Sequence, residues 1–244
     1  MERKDFVNDK LSLIQETDGL TFGTDALLLA GYISGKYKLG CEFGSGSGII
    51  SMLLLTRGKL QKTVALEVQE EYACLTKRNA ELNGLDSRMT TVHSDIREYT
   101  PECEFDIIYT NPPYMKVDSG KKNVLEKKNV ARHEVCGSIY DFCKAAARML
   151  KFGGCFAAVY RPDRLVDLFD AMRTARIEPK RLTLVYADTD SVPSMALVEG
   201  KAGGRCGLLL TKPLIIYSDG SHKHYSEDMN FIMENGSFPS DFKR

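Results

Sequence analysis

Hydrophobic and polar positions follow two alternating periods along this chain. Short apolar runs predict strands over residues 39–43, 63–68, 89–92, 105–110, 155–160 and 182–186. Between these runs, apolar residues recur at helical spacing, as in residues 48–55, 69–83 and 138–150. Strands that alternate with helices are typical of a parallel sheet with crossover helices. The run 105–110 has little polar alternation, so we expect it in the centre of that sheet.

Some ends of these elements carry local signals. Gly84 stands just after the predicted helix 69–83, where a glycine commonly ends a helix. Ser138 and Asp141 resemble a capping box at the start of the helix 138–150, and residues 152–154 are expected to end it. Short strands joined by turns that contain Gly or Pro predict antiparallel hairpins that finish the sheet, at residues 195–199, 208–211 and 214–217.

The overall charge of the chain is balanced. It contains 33 Lys and Arg residues against 33 Asp and Glu residues, and 43% of its residues are hydrophobic. This apolar content excludes a disordered or collagen-like chain. A domain that neutralises many phosphates is usually basic overall, so any surface for nucleic acid must be local.

Composition also bears on location and on metal binding. The N-terminus is charged, and the apolar runs are far shorter than the roughly 20 residues of a membrane helix, so we expect neither a signal peptide nor a membrane anchor. The seven cysteines contain no C-x-x-C pair, which favours reduced thiols in the cytoplasm. His222 and His224 lack partners at ligand spacing, so no metal site is expected.

A glycine-rich segment follows the first strand of the predicted sheet. Residues 42–48 read Glu-Phe-Gly-Ser-Gly-Ser-Gly, with glycines at 44, 46 and 48. Glycine allows a sharp turn and a close approach of the backbone to a ligand. Ile49 stands where the dinucleotide fingerprint would have its third glycine, so the segment predicts a ligand loop of a different kind; the alternative is a flexible turn.

Acidic residues stand at or just after the ends of the next two strands. Glu67 ends the second strand, where an acid in a doubly wound fold accepts hydrogen bonds from the ribose hydroxyls of a nucleoside. Asp95 follows the third strand and could accept from the amino group of an adenine ring. A solvated charge at Glu67 and ordinary turn chemistry at Asp95 are the alternatives.

The most informative segment is Asn111-Pro112-Pro113-Tyr114, directly after the strand 105–110. The Asn111 side-chain oxygen and the Pro112 carbonyl are both acceptors, and the prolines restrict their positions. Tyr114 adds an aromatic face. Two acceptors beside a ring suit a planar amino group, whose N–H bonds they would hold while the ring stacks on its plane.

These segments together resemble the successive motifs of class I S-adenosylmethionine-dependent methyltransferases that act on amino nitrogens. The resemblance implies a Rossmann-like α/β fold with a mostly parallel seven-stranded sheet, helices on both faces and an antiparallel C-terminal hairpin. It implies that Glu42, the loop glycines, Glu67, Asp95 and Asn111 bind S-adenosylmethionine, and that Phe22, Thr24 and Asp25 cover it. The implied division is an N-terminal lead over residues 1–36, a catalytic domain over 37–217 and a tail over 218–244.

A closer resemblance is to the bacterial tRNA adenine-N6 methyltransferases that modify adenine 37 of valine tRNA. Five segments carry it, at residues 22–30, 111–114, 131–134, 159–162 and 213–217. It implies tRNA as the partner, with Asn111, Pro112, Pro113 and Tyr114 as the catalytic residues. Related enzymes methylate a protein glutamine amide or guanine N2, and a non-catalytic nucleotide- or RNA-binding module is a further alternative.

A basic segment follows residues 111–114, the proposed catalytic turn. Residues 115–133 hold two acids and six cations, a local balance of +4, the cations being Lys116, Lys121, Lys122, Lys127, Lys128 and Arg132. We expect these cations to track a phosphate backbone, although a solvated loop is the ordinary outcome for such a run. A second group could extend this surface, at Arg173, Arg176, Lys180 and Arg181.

Overall fold

The centre of the fold is a β-sheet, seen in a computed structural model that describes residues 2–8, 11–16, 23–112 and 137–243. Five strands form its parallel half: β3 (Tyr37–Phe43), β4 (Leu60–Glu67), β5 (Met89–His93), β6 (Phe105–Thr110) and β7 (Leu150–Tyr160). The helices among them are α1 (Thr24–Tyr32), α2 (Ile49–Thr56), α3 (Glu70–Leu82), α4 (Ile139–Met149) and α5 (Leu165–Thr174), the last preceded by a 3₁₀ turn at Pro162–Arg164.

The strand order is β5-β4-β3-β6-β7-β9-β8, with β8 at Ile177–Tyr186 and β9 at Pro193–Ala202. The strand β9 runs antiparallel to both β7 and β8. This arrangement confirms the Rossmann-like, mostly parallel sheet, its antiparallel hairpin and the central place of β6. The sheet has nine strands among the described residues rather than the seven predicted, because two short strands extend its outer edge.

The outer edge of the sheet differs from the prediction. The two-residue strands β10 (Leu209–Leu210) and β11 (Leu214–Ile215) both pair with β8 in parallel. The prediction of antiparallel hairpins at residues 208–211 and 214–217 is therefore wrong. Because β9 pairs with one side of β8, only the other side of β8 is open to further strands. The chain runs along that side in the same direction as β8.

The boundary between α4 and β7 also lies elsewhere than expected. The helix begins with the predicted capping box, since Ser138 Oγ accepts from the Asp141 amide while Asp141 caps the Ser138 amide. It ends at Met149, and Leu150 already pairs with Phe105 of β6. Residues 152–154 lie within β7 and do not end the helix.

Both faces of the sheet are covered, as predicted. On one face α1 and α2 contribute Leu28, Leu29, Met52 and Leu53 to a buried cluster. On the other face α4 and α5 contribute Phe142, Met149 and Leu168 to a second cluster. In the described part of the chain no helix is long and apolar enough to cross a membrane.

The C-terminal segment belongs to the core. A helix, α6 (Glu227–Asn235), and a 3₁₀ turn at Ser240–Lys243 follow the sheet. Phe238 and Phe242 are almost fully buried, and the Phe238 ring packs edge-on against Tyr32 of α1 with 5.3 Å between centroids. The division at residues 36 and 217 remains a prediction.

A hairpin that the apolar pattern did not predict precedes α1. Its strands β1 (Glu2–Asn8) and β2 (Leu11–Glu16) pair antiparallel. Leu11 and Leu13 of β2 are buried in the cluster of the α1 and α2 face, and Arg78 of α3 forms a two-pronged ion pair with Glu2. The hairpin therefore docks on the sheet domain through β2 and α3.

Candidate active site

The carboxyl ends of β3, β4 and β6 bring three of the predicted segments together. Phe43, the last residue of β3, pairs with Leu66 of β4 on one side and Thr110 of β6 on the other. The glycine loop (residues 44–48), Glu67 and Asn111 therefore start from adjacent positions at one edge of the sheet. This is the edge at which open α/β sheets bind ligands.

The glycine loop has a backbone that other residues rarely adopt. The φ angles of Gly44 and Gly46 are +69° and +56°, and a Cβ at either position would meet none of the described residues within 4 Å. A Cβ on Gly48 would lie 2.9 Å from Met89 Cε and 3.0 Å from Thr76 Cγ2. The first two glycines thus face open space beside the loop, whereas the third allows close packing of α2 against its neighbours.

Glu67 lies against this loop. Its Oε2 accepts from the Gly46 amide at 2.9 Å, and its Oε1 accepts from the Gln69 amide at 3.0 Å. The side chain is buried. A carboxylate has about four acceptor positions, so two remain for hydroxyl groups of a ligand.

The loop is held from α3 by residues that the sequence motifs did not single out. Thr76 Oγ1 donates to the Gly46 carbonyl at 2.8 Å and contacts Ser45 Oγ at 3.0 Å. Asn79 Nδ2 donates to the Ser47 carbonyl at 3.0 Å. Thr76 and Asn79 are fully buried, and polar side chains on the buried face of a helix were the signal available in the sequence.

Glu42 lies in the interior. Its Oε2 accepts from the amide of Ser51 at 3.1 Å and from the Ser51 hydroxyl. The hydroxyl of Tyr109 continues this chain, at 2.7 Å from Ser51 Oγ and 2.8 Å from Thr63 Oγ1. Burial raises the pKa of Glu42 to about 8. The structure therefore joins Glu42 to the first turn of α2, and its predicted contact with a cofactor stays a prediction.

Asp95 forms local turn contacts. Its carboxylate binds the guanidinium of Arg97, and its Oδ1 accepts from the Arg97 amide at 2.8 Å. These hydrogen bonds from Arg97 lower the pKa of Asp95. A ligand amino group would share this carboxylate with Arg97, and the predicted adenine contact remains untested.

Asn111 and Asp25 meet at the end of β6. Asn111 Nδ2 donates to Asp25 Oδ2 at 2.8 Å, while Asp25 Oδ1 accepts from the Ala26 amide at 2.9 Å. Carboxylate oxygens only accept, so the amide NH₂ faces Asp25 and the amide oxygen faces away. Within the described residues Asn111 Oδ1 is buried and accepts no hydrogen bond. It is an unused acceptor beside the glycine loop.

The remaining predicted residues have simpler outcomes. Pro112 is buried after Asn111, and Thr24 is the partly exposed first residue of α1. The other predicted residues lie outside the described residues, namely Phe22, Pro113, Tyr114, Lys116, Lys121, Lys122, Lys127, Lys128 and Arg132.

The second basic group does not form one surface. Arg181 is buried, with its guanidinium 2.8 Å from Glu199 and over the ring of Tyr32 at 3.8 Å. Arg173 lies 3.5 Å from Glu178. Arg181 thus stabilises the interior and is unavailable to a phosphate.

The described residues contain no group of three or more His, Cys, Asp or Glu side chains arranged to hold a metal ion. This edge of the sheet instead has the glycine loop, the Glu67 carboxylate beside it and an Asn111 amide oxygen to which no described residue donates. The glycine loop and Glu67 suit the binding of a nucleoside, and the Asn111 amide oxygen suits a hydrogen bond from an amino group.

Two examples represent the relatives that are similar to this chain. One is a tRNA1(Val) (adenine(37)-N6)-methyltransferase of Pedobacter heparinus, 32% identical over 139 residues that cover 56% of this chain and 58% of the relative. The other has the same name, from Parabacteroides distasonis, and is 25% identical over 78% of this chain and 80% of its own length. The chain thus spans little more than half the length of the first relative.

Solved structures share the fold. The crystal structure of a "predicted O-methyltransferase" from Agrobacterium tumefaciens superposes with a TM-score of 0.72 at 21% identity, covering 88% of this chain and 98% of that one. The family described as "Methyltransferase small domain" matches residues 17–173. That match takes in the glycine loop, Glu67 and Asn111, and the chain belongs to the methyltransferase small domain family.

Proposed function

We propose that this methyltransferase transfers a methyl group to the N6 atom of an adenine in RNA, and that the adenine is residue 37 of valine tRNA. Its cofactor is S-adenosylmethionine, in keeping with the family. The observation that carries the choice of an amino nitrogen is the buried Oδ1 of Asn111, which accepts no hydrogen bond from the described part of the chain.

The cofactor half of the site consists of the glycine loop and Glu67. The open space beside Gly44 and Gly46 admits a ligand to the backbone, and Glu67 has acceptor positions left for the ribose hydroxyls. Bound S-adenosylmethionine supplies a methyl group on a positively charged sulfur, which is a good leaving group. The protein therefore needs to position the nucleophile more than to activate the methyl group.

The substrate half is built on Asn111. Its Oδ1 would accept one N–H of the target amino group, and the Pro112 carbonyl would accept the other. Both hydrogen bonds turn the nitrogen lone pair out of conjugation with the ring and toward the methyl group. The nitrogen becomes acidic once it carries the methyl group and a positive charge, so a proton passes to water without a strong base.

Adenine in RNA is favoured over other amino groups by two observations. Both relatives described above are named for adenine 37 of valine tRNA. The segment after the proposed catalytic turn also holds six cations against two acids. A local excess of positive charge supports binding to a phosphate backbone even though the whole chain is neutral. The cytoplasmic location expected from the lack of C-x-x-C spacing stays a prediction.

The test offers the protein three substrates with methyl-labelled S-adenosylmethionine: total tRNA, ribosomal RNA and a release factor. Mass spectrometry of the digested products should find label in N6-methyladenosine from tRNA. Label in glutamine or in N2-methylguanosine would overturn the adenine assignment. Calorimetry without any binding of S-adenosylmethionine would favour a non-catalytic module.

A further inference from the structure

One side chain on α3 connects two parts of the molecule that are distant in sequence. Asn79 is fully buried. Its Oδ1 accepts from the Ile14 amide of β2 at 2.7 Å, and its Nδ2 donates both to the Ile14 carbonyl at 3.1 Å and to the Ser47 carbonyl at 3.0 Å. One amide therefore binds the N-terminal hairpin and the glycine loop together.

Toward the hairpin, Asn79 acts as a neighbouring strand would. Its amide group takes the donor and the acceptor of one residue, which is the pairing that a strand edge otherwise finds in a sheet. Asn83 does the same one helical turn later, accepting from the Ser12 amide at 3.0 Å and donating to the Ser12 carbonyl at 2.8 Å. Side chains four residues apart lie on one face of a helix, so the two amides form a row along β2.

Toward the glycine loop, Asn79 and Asn83 differ. Only Asn79 reaches the loop, and it does so at Ser47, next to the carbonyl of Gly46 that Thr76 holds at 2.8 Å. With the carbonyls of residues 46 and 47 fixed toward α3, the Gly46 amide remains aimed at Glu67 at 2.9 Å. The geometry of the loop therefore depends on α3 as well as on the strands.

We propose that Asn79 is a positioning residue that couples docking of the N-terminal hairpin to the conformation of the glycine loop, which binds the cofactor. The docked β2 holds the Asn79 amide in place, and the amide holds the Ser47 carbonyl. Without β2 the same side chain would be free to turn away from the loop. Such coupling is reciprocal, so bound S-adenosylmethionine stabilises the docked hairpin by the same amount as the hairpin favours the cofactor.

This coupling concerns the cofactor and holds whichever amino group the enzyme methylates. It predicts a difference between two variants that weaken the same hairpin. Asn79→Ala loses the contacts with Ile14 and Ser47. Asn83→Ala loses the contacts with Ser12, with the Asn79 carbonyl and with Met52 Sδ of α2 at 3.7 Å, and it loses no hydrogen bond to the glycine loop. Asn83 is therefore the matched control for Asn79.

The first measurement is calorimetric binding of S-adenosylmethionine to the full chain, with thermal unfolding in parallel. Asn79→Ala should weaken binding about 5- to 10-fold, the loss expected when one hydrogen bond no longer holds the loop. Asn83→Ala should stay within about 2-fold while it also lowers the melting temperature. Equal binding losses in both variants, or no loss in either, would overturn the proposal. If Asn79→Ala does not fold, Asn79→Asp keeps the acceptor for Ile14, loses both donors and should show the same weakening.

The second measurement needs no variant. Hydrogen exchange of the unmodified protein should show that S-adenosylmethionine slows exchange of the Ile14 amide, which Asn79 holds, more than that of the Ser12 amide, which Asn83 holds. Equal effects at both amides would contradict coupling through Asn79. A protein that binds no S-adenosylmethionine would instead refute the cofactor itself, which separates the two failures.

Discussion

Asp25 and Asn111 lie 86 residues apart in the chain and share a hydrogen bond of 2.8 Å from the amide nitrogen to the carboxylate. This bond decides which end of the Asn111 amide faces the site. With the nitrogen committed to Asp25, the oxygen is left as an acceptor for the substrate. Asp25 itself is held at the start of α1 by the amide of Ala26. The orientation of the proposed catalytic residue thus depends on a helix that precedes the sheet.

A double-mutant cycle tests this relationship. Asp25→Ala should lower the single-turnover rate of methylation about 10-fold, because the Asn111 amide is then free to turn. Asp25→Ala should cause no further loss in a protein that already carries Asn111→Ala, since Asp25 acts only through that amide. Binding of S-adenosylmethionine should be unchanged. Additive losses with weaker cofactor binding would show that Asp25 contacts the cofactor, as the sequence resemblance implies.

Glu67 should govern cofactor affinity. Glu67→Ala removes the acceptor for the Gly46 and Gln69 amides and for the ribose hydroxyls, and we expect about 10- to 100-fold weaker binding of S-adenosylmethionine by calorimetry. Glu70→Ala, at an exposed position three residues later in the first turn of α3, is the control and should bind normally. Wild-type affinity in Glu67→Ala would exclude this residue from the cofactor site.

Glu42 should make stability depend on pH. Its pKa is raised by burial from 4.5 to about 8, so between these values the folded protein keeps a proton that the unfolded chain has lost. The free energy of unfolding therefore falls as pH rises through this window, by up to about 1.4 kcal/mol per pH unit. Chemical denaturation of Glu42→Gln across the same window should show a shallower fall. A slope equal to that of the wild type would mean that Glu42 is already ionised in the folded protein.

The basic segment should contribute affinity that depends on salt. Lys121→Ala combined with Lys122→Ala should weaken tRNA binding, and the slope of log affinity against log salt should become less steep by about 1 to 2. Lys38→Ala with Lys62→Ala is a matched control, because both lysines are exposed near the amino-terminal ends of β3 and β4. If both double substitutions change tRNA binding equally, RNA does not bind at the carboxyl edge of the sheet, where Asn111 lies.

The sequence predicted the sheet well because its strands are local apolar runs separated by helices. The central position of β6 and the capping box at Ser138 follow from the types of neighbouring residues. The turn residues after β9 did not reveal that β10 and β11 would run parallel to β8. Direction at a sheet edge depends on which side is free, and that is set only once the whole sheet has formed.

The sequence predicted where the parts of the candidate site lie on the sheet, and it did not predict how those parts are connected. The glycine loop, Glu67 and Asn111 follow from their positions at strand ends. The bonds from Asp25 to Asn111 and from Asn79 to Ser47 and Ile14 join distant segments, so no local pattern marks them. Arg181 looked like a surface cation in the sequence, yet Glu199 and Tyr32 hold it in the interior.

The most direct test of the central claim uses valine tRNA transcripts that differ only at position 37. Each transcript is incubated with S-adenosylmethionine and either the wild-type protein or Asn111→Ala, and its nucleosides are measured by mass spectrometry. The account predicts N6-methyladenosine from the wild-type protein with adenine at 37, none with guanine at 37, and at least about 100-fold less from Asn111→Ala. N6-methyladenosine in the guanine transcript, or an undiminished yield from Asn111→Ala, would contradict it.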